Sequence, residues 1–138
     1  MATTTIEHPQ VEQQAESLAE VFRTGRLGEL FTDDVFLDGH PPYWRFQLEG
    51  SDALGAWLGG YVTPGTEISV ARVVPTATGF VTELTGRHTE EGRDLTDRKI
   101  VLCEVRDGRI AALTIYCSGD WDEELRARHG RETTVLRP

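Results

Sequence analysis

VRDGRIAALTIY, residues 105–116, decides the fold. Asp107-Gly108 at its centre is the pair that a two-residue hairpin selects, because a type I′ turn needs positive φ at both central positions. On either side, Ile100, Val101, Leu102 and Val105, then Ile110, Leu113 and Ile115, suit a pleated, half-buried surface. The same texture reaches back to Glu67 through Ile68, Val70, Val73, Val74, Phe80 and Val81. Breaks at Pro75–Gly79 and Glu90–Arg93 divide the run, so the C-terminal half predicts four antiparallel strands in a meander.

The N-terminal half carries the other periodicity. Pro9 in a first turn, Glu12, and Val11, Ala15, Leu18 and Phe22 on one face predict a helix that ends before Gly25. Arg26–Phe31 reads as a further short turn of helix, and Asp34–Gly39 as a strand. Ser51 is positioned to cap a second helix with Leu54, Trp57, Leu58 and Tyr61 on one stripe, weakened at Gly59-Gly60. Trp121–His129 predicts a last helical turn. No repeat, linker or low-complexity segment divides residues 1–138, which predicts one α+β domain with its helices packed on a curved antiparallel sheet.

Composition closes off several functions. A net charge of −9 without a basic cluster argues against nucleic acid and anionic membrane as partners. No apolar run of about 18 residues is present to span a bilayer. Met1–Gln10 lacks the basic and apolar regions of a secretory signal, so a cytoplasmic location is expected. Cys103 and Cys117 lie in strand-like runs without ligand spacing, which predicts free thiols and no structural zinc. His8, His40, His88 and His129 are scattered, and the sequence has no nucleophile elbow, phosphate loop or dinucleotide fingerprint. No cofactor is implied. Lys99 is the only lysine in the chain.

The order of helix, short turn, FTDDVFL, capped helix and strands ending in VRDGRIAALTIY resembles the nuclear-transport-factor-2-like superfamily, which includes ketosteroid isomerases, SnoaL-type polyketide cyclases and limonene epoxide hydrolases. The resemblance covers most of the chain. It implies a cone-shaped α+β barrel whose concave face encloses an apolar pocket, with acid and base side chains projecting from the strands. Laid on without gaps, the isomerase base falls on Gly39, its helix-one tyrosine on Ala15 and its second oxyanion donor on Val101. The arginine and two aspartates of the epoxide hydrolases fall near Leu84, Gly86 and Ile115. Neither mechanism carries over.

Strand alternation then sorts the candidates. Thr82, Leu84, Gly86 and His88 share one face; so do Asp97, Lys99, Val101, Cys103 and Val105, and Leu113, Ile115 and Cys117. This leaves an apolar pocket centre, bounded by Leu84, Val101, Cys103, Ile115, Cys117 and Trp57, with polar residues at the rim. His88 and Asp97 on adjacent strands can form a base and its orienting carboxylate, or stand solvated near a hairpin end. Asp38 and His40 flank Gly39, and a slip or bulge there would turn both inward to serve proton transfer; otherwise Asp38 caps a turn. In FLDGHPPYWRF, two prolines stiffen the loop, so that Tyr43 and Trp44 are walls and Arg45 a counter-charge, or else Trp44 and Phe46 plug the core. Gly119 permits a bend that would bring Trp121 across the opening.

The expected activity is that of a small-molecule enzyme of the cyclase or isomerase kind, using acid/base chemistry on an apolar or planar ligand. The alternatives are a non-catalytic ligand-binding or dimerisation protein, or a hydrolase with a rearranged network. Ile100, Leu102, Thr114 and Tyr116 form an outward apolar patch that predicts a homodimer through the sheet.

Overall fold

A computed structural model describes residues 8–137, so the Met1–Glu7 part of the N-terminal reading lies outside the described residues. The elements are α1 (His8–Thr24), β1 (Phe31–His40), β2 (Phe46–Glu49), α2 (Ser51–Tyr61), β3 (Glu67–Pro75), β4 (Gly79–Glu90), β5 (Arg93–Arg106), β6 (Arg109–Cys117) and α3 (Glu123–Glu132). No described helix is long and apolar enough to cross a membrane.

The strands form one six-stranded sheet in the order β2-β1-β6-β5-β4-β3. β3 to β6 make the meander read from the sequence, closed at its last turn by Asp107 and Gly108, both at positive φ. The sheet is mixed rather than purely antiparallel, because β1 docks parallel to β6. The sequence reading contained no β2. This strand is only four residues long, pairs antiparallel with β1 and occupies the edge. Shifts of register between Phe31 and Phe36, Val70 and Arg72, and Glu104 and Val105 interrupt the ladders; such bulges bend and twist a sheet.

Two local expectations are corrected. Arg26–Leu30 is a turn, not helix: Gly25 at φ 75° and Gly28 at φ 58° leave helical geometry. Ser51 is the first residue of α2 and Gly50 its cap, at φ 94° with no side-chain cap bond. α2 also runs through Gly59-Gly60 to Tyr61, because Leu54 and Leu58 are 1% exposed and anchor it to the sheet.

Helix α1 buries the face read from its periodicity, with Val11, Ala15, Leu18 and Phe22 all in the core. Gln14 donates to the carbonyl of Gly108 (3.1 Å), and Arg23 to that of Ile68 (2.6 Å), tying α1 to both ends of the meander. The core lies between the helices and the inner face of the sheet, around Phe80, Leu84, Val101, Cys103, Ile110 and Leu113.

Candidate active site

Hydrogen-bonded strand pairing arranges the inner face in rows. Thr82, Val101 and Ile115 make one row and Leu84, Lys99 and Cys117 the next, followed by Gly86 with Asp97. Val101, Thr82 and Leu84 are sealed at 0–1% exposure. One step further on, the interior turns polar. Lys99 is 5% exposed and Asp97 7%, and the Lys99 ammonium donates directly to Asp97 Oδ2.

Every neighbour supports this pair. Gly86 faces Asp97, and a Cβ there would come within 2.1 Å of Asp97 Oδ1, so only glycine leaves room for the carboxylate. The Cys117 thiol donates to the same carboxylate at 3.7 Å and accepts from the Gly119 amide at 3.4 Å. Lys99 Nζ lies 5.5 Å from the ring centroids of both Phe22 and Tyr61, a cation–π cradle. Burial disfavours the charged ammonium, but the Tyr61 oxygen and the Asp97 carboxylate outweigh it, and Lys99 is held above its ordinary value. Burial pushes the Tyr61 phenol and the Cys117 thiol up in turn, with Lys99 opposing in both cases.

Two cavities border this pair. The larger, about 390 Å³, is walled by Trp44, Phe46, Trp57, Pro41, Pro42 and Ile115, with Lys99 and Cys117 at its floor. Trp57 stacks on Tyr61 at 4.9 Å and meets Phe46 at 5.3 Å with the rings tilted by 46°, giving an aromatic wall. The smaller, about 290 Å³, is bounded by Phe22, Ile68, Val62, His88, Glu90 and Asp97. Tyr61, Lys99 and Asp120 line both. The apolar centre expected from the sequence is therefore corrected: an ion pair stands at the floor.

The residues singled out in the sequence are distributed unevenly around it. His40, Trp44, Trp57, Ile115 and Cys117 line the larger cavity. Leu84, Val101 and Cys103 are closed off in the core rather than at a wall, and burial holds the Cys103 thiol far above its ordinary value. Trp44 is 73% exposed, so it flanks the opening and does not plug it. Tyr43 is wholly exposed at φ 63° and is not a wall.

Asp38 and His40 lie on the outer face, because Gly39 pairs in register with Ile115 and no slip occurs there. A Cβ on Gly39 would meet Phe46 at 2.5 Å, which explains the glycine as space for that ring. Asp38 accepts both bonds of the Arg45 guanidinium, at 2.9 and 3.0 Å, which holds its carboxyl down at about 2. Arg45 is thereby turned to Asp38 and not to the cavity. His40 stacks on Tyr116 at 4.3 Å and lies 3.3 Å from Asp38, and it still borders the larger cavity.

His88 and Asp97 are diagonal neighbours, since His88 pairs with Leu95 and Asp97 with Gly86. Their side chains nonetheless part company. Asp97 engages Lys99, while His88 Nε2 faces Glu90 at 3.6 Å and Asp120 at 3.9 Å. Gly119 does bend the chain, at φ 80°, but the residue it presents to the cavities is Asp120. Trp121 instead bridges to Thr96, packs on His129 at 5.3 Å, and borders a separate cleft on the outer side of the sheet.

No family model matches the chain, and no curated protein matches it. Solved structures do. An NTF2-like protein from Anabaena variabilis superposes with a TM-score of 0.66 at 21% identity, covering 86% of this chain and 97% of that one. A protein from Jannaschia described as a SnoaL-like polyketide cyclase gives 0.69 at 12% identity, over 98% and 100%. An LEH-like epoxide hydrolase from M. tuberculosis gives 0.64 at 16% identity, over 80% and 84%. The chain has the nuclear-transport-factor-2-like α+β fold, a curved sheet closed by helices into a cone. At these identities the likeness defines the architecture; the chemistry rests on the side chains described above.

Proposed function

We propose that the protein is a small-molecule enzyme of the cyclase or isomerase kind, in which Lys99 and Tyr61 donate to an oxygen of a planar or apolar substrate. The observation that carries this reading is the single lysine of the chain, buried against Asp97 at the floor of an aromatic-walled cavity. A buried ion pair is weak evidence for stability, since an apolar pair of similar volume does as well or better. A charge kept in a cleft at that cost is a functional candidate. A carbonyl oxygen between the ammonium and the phenol is stabilised as it gains negative charge. Asp97 keeps the ammonium charged and aimed. The neighbouring proteins described as a polyketide cyclase and an epoxide hydrolase are consistent with small-ligand chemistry on this fold.

The competing reading is a non-catalytic binding protein, favoured by one observation: Lys99 and Asp97 already satisfy each other. A melting screen of planar polyketide-like, steroid and terpenoid compounds, each with and without a carbonyl, separates the two. A ligand at about 100 times its Kd stabilises a folded chain by about 2.7 kcal/mol. The enzyme reading expects carbonyl compounds to raise the melting temperature of the wild type, and the Lys99→Met variant to lose that advantage over the carbonyl-free analogues. Equal shifts for both sets in both proteins would leave only binding.

We also propose a homodimer through the outer sheet face, where Ile100, Leu102 and Tyr116 are 40%, 44% and 57% exposed around Thr114. Light scattering of wild type and Leu102→Glu tests it, with a halved mass expected in the variant.

A further inference from the structure

We propose that His88, Glu90 and Asp120 bind a divalent transition-metal cation at the mouth of the smaller cavity. One ligand atom from each residue lies within 4.8 Å of the other two. All three residues line that cavity. The inference stands apart from the ligand chemistry assigned to Lys99.

The backbone holds the three in place before any ion arrives. His88 and Glu90 are two apart on β4, so alternation puts them on one face, and the Glu90–Arg93 pair closes the hairpin immediately beyond. Asp120 comes from a segment pinned on both sides: Ser118 N–H donates to Arg98 O at 2.9 Å, and Trp121 and Thr96 exchange bonds of 2.8 and 3.0 Å. Gly119, at φ 80°, supplies the turn that aims Asp120 back at β4.

The side chains are short of partners. His88 is 15% exposed, yet its nearest charged neighbours are the two carboxylates at 3.6 and 3.9 Å, both beyond hydrogen-bond range. Among the described residues, no arginine or lysine pairs with Glu90 or Asp120, whereas Asp94 has Arg87 and Arg126, and Asp122 has Arg93. Two converging carboxylates in a chain of net charge −9 therefore lack a counter-charge. A divalent ion supplies it. With bonds of about 2.0–2.2 Å, each side chain has to move by only a fraction of an ångström, and Glu90 and Asp120 are 59% and 44% exposed and free to do so.

An imidazole with two carboxylates suits zinc or manganese better than magnesium, which prefers an all-oxygen shell. Three protein ligands leave coordination positions for water or for an oxygen of a bound molecule in the cavity. The histidine positions alone do not reveal this site, because its other two ligands are carboxylates brought in by a β-strand repeat and a glycine bend.

The test is isothermal titration of the untagged, metal-stripped chain with zinc chloride and, separately, magnesium chloride. One zinc ion per chain is expected, bound at least tenfold more weakly by both His88→Gln and Asp120→Asn and unchanged in Glu29→Gln, a control on the turn before β1. Magnesium is expected to bind at least tenfold more weakly than zinc. Absence of zinc binding, or wild-type affinity in either site variant, would overturn the proposal, as would equal affinity for magnesium. Circular dichroism melts establish that each variant is folded; where His88→Gln is not, Glu90→Gln, on an exposed side chain, takes its place under the same criterion. Loss of the carbonyl-dependent shift at Lys99 leaves this titration unaffected, so the two proposals fail separately.

Discussion

Replacing Lys99 with Met removes the ammonium while keeping most of the side-chain length. Left behind is the Asp97 carboxylate, wedged against Gly86, with the Cys117 thiol as its remaining side-chain partner. Breaking a buried pair by deleting one member costs about 3–5 kcal/mol, because the other charge stays desolvated. The Lys99 and Asp97 side chains are 5% and 4% exposed, so solvent screening offers no discount. In a domain of this size each kcal/mol lowers the melting temperature by roughly 3–5 °C, which places Lys99→Met on the order of 10–20 °C below wild type.

Adding Asp97→Asn removes the stranded charge, so the double variant is expected to be more stable than Lys99→Met alone, with a coupling energy of about 2 kcal/mol or more. Urea unfolding of the four proteins measures the cycle. Lys99 is raised in the folded chain, so its contribution is fully present below the ordinary lysine value, about 10.4, and is lost as pH rises through the folded value. The gap between wild type and Lys99→Met should therefore stay flat across about pH 7–9. Strictly additive losses, or a Lys99→Met variant within about 0.5 kcal/mol of wild type, would refute the buried pair.

The remaining predictions probe its surroundings. Gly86→Ala forces a Cβ against Asp97 Oδ1 and is expected to cost about 1–3 kcal/mol by urea unfolding and to abolish the ligand-induced melting shift. Asp38, held at about 2 by Arg45, adds stability that is present above its ordinary value and lost as pH falls below it through about 2; titration followed by carboxyl NMR checks the value. Ligand shifts in Asp38→Asn should match wild type within twofold in Kd, since Asp38 lies outside the cavities. Native Cys117 should react with a thiol reagent far more slowly than free cysteine at neutral pH, and Cys103 only on unfolding, because burial raises both thiols.

The fold was legible where a single physical rule governs a stretch. Period-two alternation across Phe80–Cys117 and period-four spacing in α1 gave the meander and its cover, and alternation alone assigned inner and outer faces along β4, β5 and β6. It failed where tertiary contacts decide. β2 has four residues and pairs only because β1 offers an edge, so neither length nor pattern announces it. At Gly39 a bulge is open on sequence grounds, but register with Ile115 and the Phe46 ring fix the glycine inward and carry Asp38 out, while His40 keeps a place at the edge of the larger cavity. Alternation puts Lys99 on the inner face but assigns it no role; a lone lysine two residues from an inward aspartate is the available signal. Asp120 had no local signal, since its position depends on the Trp121–Thr96 bridge.

The interior turns polar at Lys99, one row out from Val101 and beside the end of α2. In the row of Thr82, Val101 and Ile115 the first two are 0% exposed, while Ile115, at 5%, reaches the wall of the larger cavity. α2 ends at Tyr61, and Gly60, Tyr61 and Val62 border the smaller cavity beside Lys99. A helix C-terminus presents carbonyls with partial negative charge, an environment that favours a cation. No neighbour lies within 4 Å of where a Cβ on Gly60 would stand, so the last turn leaves the mouth open. Lys99 thus lies beside the end of α2, where Phe22 and Tyr61 flank its ammonium and Asp97 accepts from it. A charge one row deeper, at Val101, would face Thr82, whose hydroxyl already donates to Arg72 O, and at Arg93 it would lie in water. Between those limits Lys99 is 5% exposed and yet lines both cavities.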